Sequence, residues 1–353
     1  MSQKKPTIET NNLITSNKIR NHWIDFLRGI CILGVIWHHT CLYSGNYVPE
    51  MIKQLSFLLE VPALFFVSGL TYQYINRDII ASNFIKLSFN FTLIALILNG
   101  LFGNITLPSI LNPLFLVGFN IPNQFYVLAG SYWFVPIYAI VLVVATIITK
   151  KLHSLYPLIL IACFSIYFLP HEVFPLNTFS ICYAYGWTSG IFFLLGFFLF
   201  GYLYMEQPIL QKHKYFLAFI VFLLGVLVYS YCYLKIGYDV FFLWHYKDLK
   251  ALPYISASFL SISCLIACYK SNLHNRFIEH IGKYSIFYYI GQGISGSYLK
   301  SMEPYLNIDW HIKLIVLFTI NIILCTICSE IYRKIYNSIG ILYQKTTSKI
   351  TEG

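Results

Sequence analysis

Ten stretches of about twenty residues, each nearly free of charge, recur along this chain, and that recurrence restricts the solvent it can fold in. They lie near residues 24–43, 54–75, 84–103, 131–149, 155–170, 187–204, 215–234, 252–269, 283–300 and 312–332. A helix advances only ~1.5 Å per residue, so crossing the hydrocarbon of a bilayer takes about 20 apolar residues; the fifth stretch is short by that measure. Composition agrees, with 58% hydrophobic and 11% charged residues against ~25% charged in an average soluble domain. The expected fold is all-α: a polytopic integral membrane protein of about ten transmembrane helices.

A net charge of +10 would point to nucleic acid in a soluble protein, but here the charge is distributed by loop. With the N-terminus inside, sixteen of the lysines and arginines, among them Lys4, Lys5, Arg20, Arg77, Lys150 and Lys151, fall in or beside cytoplasmic segments. Lys53, Lys235, Lys247, Lys250, Lys300 and Lys313 fall on the other side. This is the positive-inside bias, alternating loop by loop as an even number of spans requires. Both termini are expected in the cytoplasm, and the protein in the cell (cytoplasmic or inner) membrane with no nucleic-acid partner. The first twenty residues are polar, so no cleavable signal is expected. The anticipated layout is a tail over 1–20, a transmembrane domain over 21–335 and a second tail over 336–353.

Arg28 and His39 stand eleven residues apart within the first stretch. Eleven steps of ~100° are three turns plus ~20°, so both side chains leave one helix face, ~16 Å apart along the axis. Ionisable groups at membrane depth are costly and usually functional. Asp25 is three residues before Arg28, close enough to pair. The bland alternative is a structural Asp25 to Arg28 pair with His38 or His39 snorkelling to the far interface. Glu60, in the second stretch, is a further intramembrane carboxylate expected to face the same cavity and orient His39. Ser68 is a nucleophile on paper, although Ser-Gly in an apolar helix commonly serves as a packing notch.

Residues 104–130 carry no charge yet include Pro108, Pro113 and Pro122. Three prolines make a regular spanning helix improbable. The segment reads as a lid or re-entrant element beside a site, or as a plain outer loop. A second outer segment, 235–251, combines Tyr238, Asp239, Trp244 and His245, groups able to stack on and orient a sugar. The nine cysteines do not follow metal-ligand spacing, so no metal site is expected.

Several of these residues fall into a pattern. Asp25, Leu27, Arg28 and Gly29, with ten residues between Arg28 and His39, resemble the N-terminal signature of the acyltransferase-3 family, membrane enzymes that move acyl groups onto cell-surface glycans. Pro62, Phe65, Phe66, Ser68 and Gly69 are similar to a second family segment. Trp133, Phe134 and Pro136 resemble a third. Gly282, Lys283, Ser285 and Tyr289 resemble the family's G-K-x-S-x-x-x-Y-x-x-H, except that Gln292 stands where the family has histidine. Glutamine donates and accepts hydrogen bonds but does not titrate near neutrality. The family's basic cluster is reduced here to Arg77 and Lys86.

The resemblance implies an O-acetyltransferase that uses acetyl-CoA as donor substrate, binds no permanent cofactor, and acts on a surface polysaccharide or lipid-linked oligosaccharide amid membrane lipid. It makes His39 the candidate base, with His38 as its neighbouring alternative. Arg28, with Arg77 and Lys86, would hold the anionic donor, and Asp25 would hold the guanidinium. Trp133, Lys283, Ser285, Tyr289 and Gln292 would support the site. A glycan polymerase or a flippase of polysaccharide assembly also fits ten spans with an aromatic outer loop.

Overall fold

The computed structural model describes residues 22–43, 48–56, 58, 61–72, 80–165, 188–236, 252–271 and 273–352. Its principal helices are α1 (His22–Tyr43), α2 (Glu50–Ser56), α3 (Val61–Tyr72), α4 (Ile80–Leu101), α5 (Leu107–Leu114), α6 (Tyr126–Ser131) and α7 (Phe134–Lys151). They continue with α8 (Tyr156–Ser165), α9 (Thr188–Glu206), α10 (Lys214–Ile236), α11 (Leu252–Ala267), α12 (Arg276–Lys283), α13 (Ser285–Met302) and α14 (Trp310–Glu352). No strand occurs among the described residues. In lipid, the helix satisfies every backbone polar group within its own segment.

Each of the ten apolar stretches contains one of these helices. Among the described residues, four segments are long and apolar enough to cross a membrane: Phe84–Leu101, Asn123–Lys151, Lys214–Tyr231 and Trp310–Ile341. Helix α1 is long enough, but Asp25, Arg28, His38 and His39 dilute its hydropathy. The final helix departs from expectation. It runs 43 residues to Glu352, ~64 Å at the usual rise, so the segment beyond 332 continues the last span as helix. That segment contains no proline to stop it.

Helix α1 lies at the centre, packed against α2, α3, α12, α13 and α14. Glycines set the closest approaches. A Cβ on Gly29 would sit 2.0 Å from the carbonyl oxygen of Ile278, and one on Gly282 would sit 1.7 Å from that of Asp25. Helices α3 and α9 cross in the same way, through Gly69 against the carbonyl oxygen of Phe198 and Gly201 against that of Phe66. Small residues let backbones meet where no hydrophobic force drives helices together. Gly69 therefore fits the packing-notch reading of the Ser68-Gly69 pair.

The proline-rich segment meets the bundle through its two helices, α5 and α6. Thr106 caps α5, exchanging hydrogen bonds with Ser109, and Pro108 occupies the first turn, where its missing N–H costs nothing. Helix α5 packs on α4, and α6 packs on α13. Phe125, Val127 and Leu128 are buried. Asn99 donates from Nδ2 to the carbonyl of Asn120 at 2.8 Å, and Val127 N–H donates to Ser297 Oγ at 3.1 Å. The segment is thus divided: its end around residues 125–128 is buried against α13, whereas Asn104, Ile105, Thr106, Leu107 and Pro108 are exposed. The aromatic segment 237–251 lies outside the described residues.

Candidate active site

Three consecutive residues of α13 face three different helices, as ~100° per residue dictates. A Cβ on Gly291 would lie 2.3 Å from Ser329 Oγ of α14, and one on Gly293 would lie 2.6 Å from Leu128 Cδ1 of α6. Between them, Gln292 turns toward α1, where its Oε1 meets Nδ1 of His39 in a short hydrogen bond. Gln292 is fully buried, and its Nε2 has no hydrogen-bond partner among the described residues. The His39 ring is half-buried.

His38 occupies a different setting. It is buried, and its Nδ1 is 2.8 Å from Ser56 Oγ of α2. The rings of His38 and His39 are 5.7 Å apart, yet one is held by a small helix and the other by the motif helix α13.

Arg28 is half-buried, and its Nη2 donates to Thr71 Oγ1 of α3 at 2.8 Å. Thr71 passes the contact on by donating to the Ser68 carbonyl at 2.8 Å. Among the described residues the partner of Arg28 is Thr71, not Asp25. Asp25 is buried, one helical turn away, and its backbone is pressed against Gly282. Arg28 and His39, expected on one face, thus touch different neighbours, α3 and α13.

The remaining expected residues divide into packing and surface. Tyr289 Oη donates to the carbonyl of Ser131 at 2.6 Å, tying α13 to the junction where half-buried Trp133 precedes α7. Its ring lies 5.1 Å from Phe134. Ser285 opens α13 and is half-buried, while Lys283 is exposed with its ammonium 5.2 Å from the Tyr284 ring. Lys86 is exposed on α4. Glu60 and Arg77 lie outside the described residues.

A family model described as an acyltransferase domain matches residues 21–330. The chain belongs to the acyltransferase-3 family. No curated protein and no solved structure matches it. The match spans all four motifs, and with the apolar helices it makes the protein a membrane acyltransferase.

Two groups near the family motifs escaped the sequence reading. Asn321, fully buried on α14, donates to Thr40 Oγ1 at 2.9 Å and accepts from Ser295 Oγ. This chain of polar side chains joins α1, α13 and α14 beside the His39 turn. An asparagine in the middle of an apolar stretch was the available signal. At the opposite end of α1, Glu279 lies between the His22 and His274 imidazoles. There also, Glu330 meets both His280 and Arg333. Arg333 is an i,i+3 neighbour of Glu330, but His22 with Glu279 and His280 with Glu330 are remote in sequence, and no spacing rule connects those pairs.

Proposed function

We propose that this acyltransferase moves an acetyl group from cytoplasmic acetyl-CoA to a hydroxyl of a cell-surface polysaccharide or lipid-linked glycan. It would do so as a ten-span protein of the cytoplasmic membrane with both termini inside. The observation that carries the reading is the setting of His39, an imidazole near the C-terminal end of α1, half-buried and held at Nδ1 by the α13 motif. Histidine is suited to general-base work near neutrality because its unperturbed pKa is ~6.5.

In this reading the imidazole takes the proton of the glycan hydroxyl as its oxygen attacks the thioester carbonyl carbon. The tetrahedral intermediate then collapses with cleavage of the C–S bond. The imidazolium returns the proton to the departing thiolate, leaving an O-acetyl ester and free coenzyme A. No acyl-enzyme is required.

Arg28 anchors the donor. Thr71 engages only one nitrogen of its guanidinium, and the planar fork suits phosphate oxygens. The turn that carries Arg28 packs on α12, where Arg276 and Lys283 are exposed. Cationic groups thus frame this end, which supports entry of an anionic donor from the cytoplasm. Arg28→Lys keeps the charge and loses the fork. It is expected to lower kcat/KM for acetyl-CoA by roughly tenfold to a hundredfold. Steady-state kinetics in detergent or nanodiscs at varied donor concentration check this; wild-type donor use by the lysine variant contradicts the role.

A further inference from the structure

We infer that Gln292 is the positioning residue of the transfer, fixing the tautomer of His39 with a neutral partner. The inference rests on the reading of His39 as the base.

Its geometry begins with the facing atoms. The amide carbonyl of Gln292 lies against Nδ1 of His39, and a carbonyl only accepts, so Nδ1 carries the hydrogen. Neutral imidazole holds one N–H, and fixing it at Nδ1 puts the lone pair on Nε2, on the far side of the ring from Gln292. The amide is itself immobilised. Gly291 and Gly293 press their helix against α14 and α6, so α13 cannot roll to withdraw it.

The partner's neutrality has a consequence for pH. A carboxylate at this position would stabilise the imidazolium and raise the pKa of His39, and a second imidazole would titrate together with it. Gln292 does neither. Other charged groups are spread around α1. His38 on the same helix bonds Ser56, and α2 contributes Glu50 and Lys53. Helix α3 has no carboxylate, amine or imidazole, only Tyr72. Helix α13 carries Tyr288, Tyr289, Tyr298 and Lys300; α14 carries His311, Cys325 and Lys313, the last paired with Glu303. The carboxylates of α12 and lower α14, Glu279 and Glu330, are engaged by histidines and Arg333.

The test compares purified wild type, Gln292→Leu, Gln292→Glu and Gln292→His across pH, with acetyl-CoA as donor and melting curves reporting the fold. Gln292→Leu removes the acceptor at similar volume. It is expected to lose about a hundredfold in kcat with the donor KM unchanged. Gln292→Glu keeps the acceptor and adds charge, which moves the acid limb of the kcat/KM profile up by about one pH unit or more. Gln292→His restores an acceptor and is expected to recover activity over the leucine variant, with a second ionisation in the profile. It decides the matter if the other two fail to fold. A merely structural glutamine would change melting and leave the acid limb in place. Wild-type kcat in Gln292→Leu, an unmoved limb in Gln292→Glu, or a single ionisation in Gln292→His overturns the inference while leaving His39 as base. Retained transfer in His39→Ala overturns the base assignment itself.

Discussion

His39→Ala is expected to abolish acylation of the surface glycan while leaving glycan chain length and abundance unchanged. Without a base, the hydroxyl must attack the thioester still carrying its proton. A positioned acid/base group contributes about 10²- to 10⁴-fold, so residual transfer in the alanine variant should lie near the detection limit. His38→Ala provides the contrast. That ring is buried and bonded to Ser56, so its loss should lower stability modestly and leave most of the transfer intact. Quantifying ester-linked acyl groups on glycan from cells expressing each variant separates the two. A dead His38 variant beside an active His39 variant would exchange their roles.

The second large effect is on folding. Gly282→Ala is expected to destabilise the protein by about 3 kcal/mol or more, at the upper end for overpacking a well-filled core. The added carbon would sit 1.7 Å from the Asp25 carbonyl oxygen and 2.7 Å from the Gly29 nitrogen. Both are backbone atoms, so no rotamer change relieves the clash and α12 must lift off α1. Gly29→Ala attacks the same crossing from the other side, through the Ile278 carbonyl. Its cost should therefore overlap with that of Gly282→Ala, the two together destabilising less than their sum. Thermal unfolding in detergent measures both; melting curves that match wild type contradict the packing account.

Gly282 also shows what was legible in the sequence. It appeared there as one letter of a catalytic-looking motif, and its part in the fold is steric. Helix positions were legible because hydrophobic length is a local signal, and each apolar stretch contains a helix. The proline-rich segment was harder, since proline marks where a helix fails and not what replaces it. Within the candidate site, His39 stood out because an imidazole is conspicuous at membrane depth. Its partner did not. Gln292 lies 253 residues away and drew notice only as a missing histidine, and a departure from a pattern says nothing about where the side chain points. The pairing of Arg28 with Thr71 was hidden for a related reason. Asp25 is near in sequence, but the helix carries it toward α12, and a threonine in an apolar helix gives no long-range signal.

Acyl transfer to a surface glycan through His39 is tested most directly by mass spectrometry of the surface polysaccharide from cells lacking this gene and complemented with either wild type or His39→Ala. Wild type should add the mass of one acetyl group per modified unit, and His39→Ala should match the deletion with chain length unchanged in all three. Equal acetylation in every strain, or shortened chains with normal acetylation in the deletion, would contradict the account.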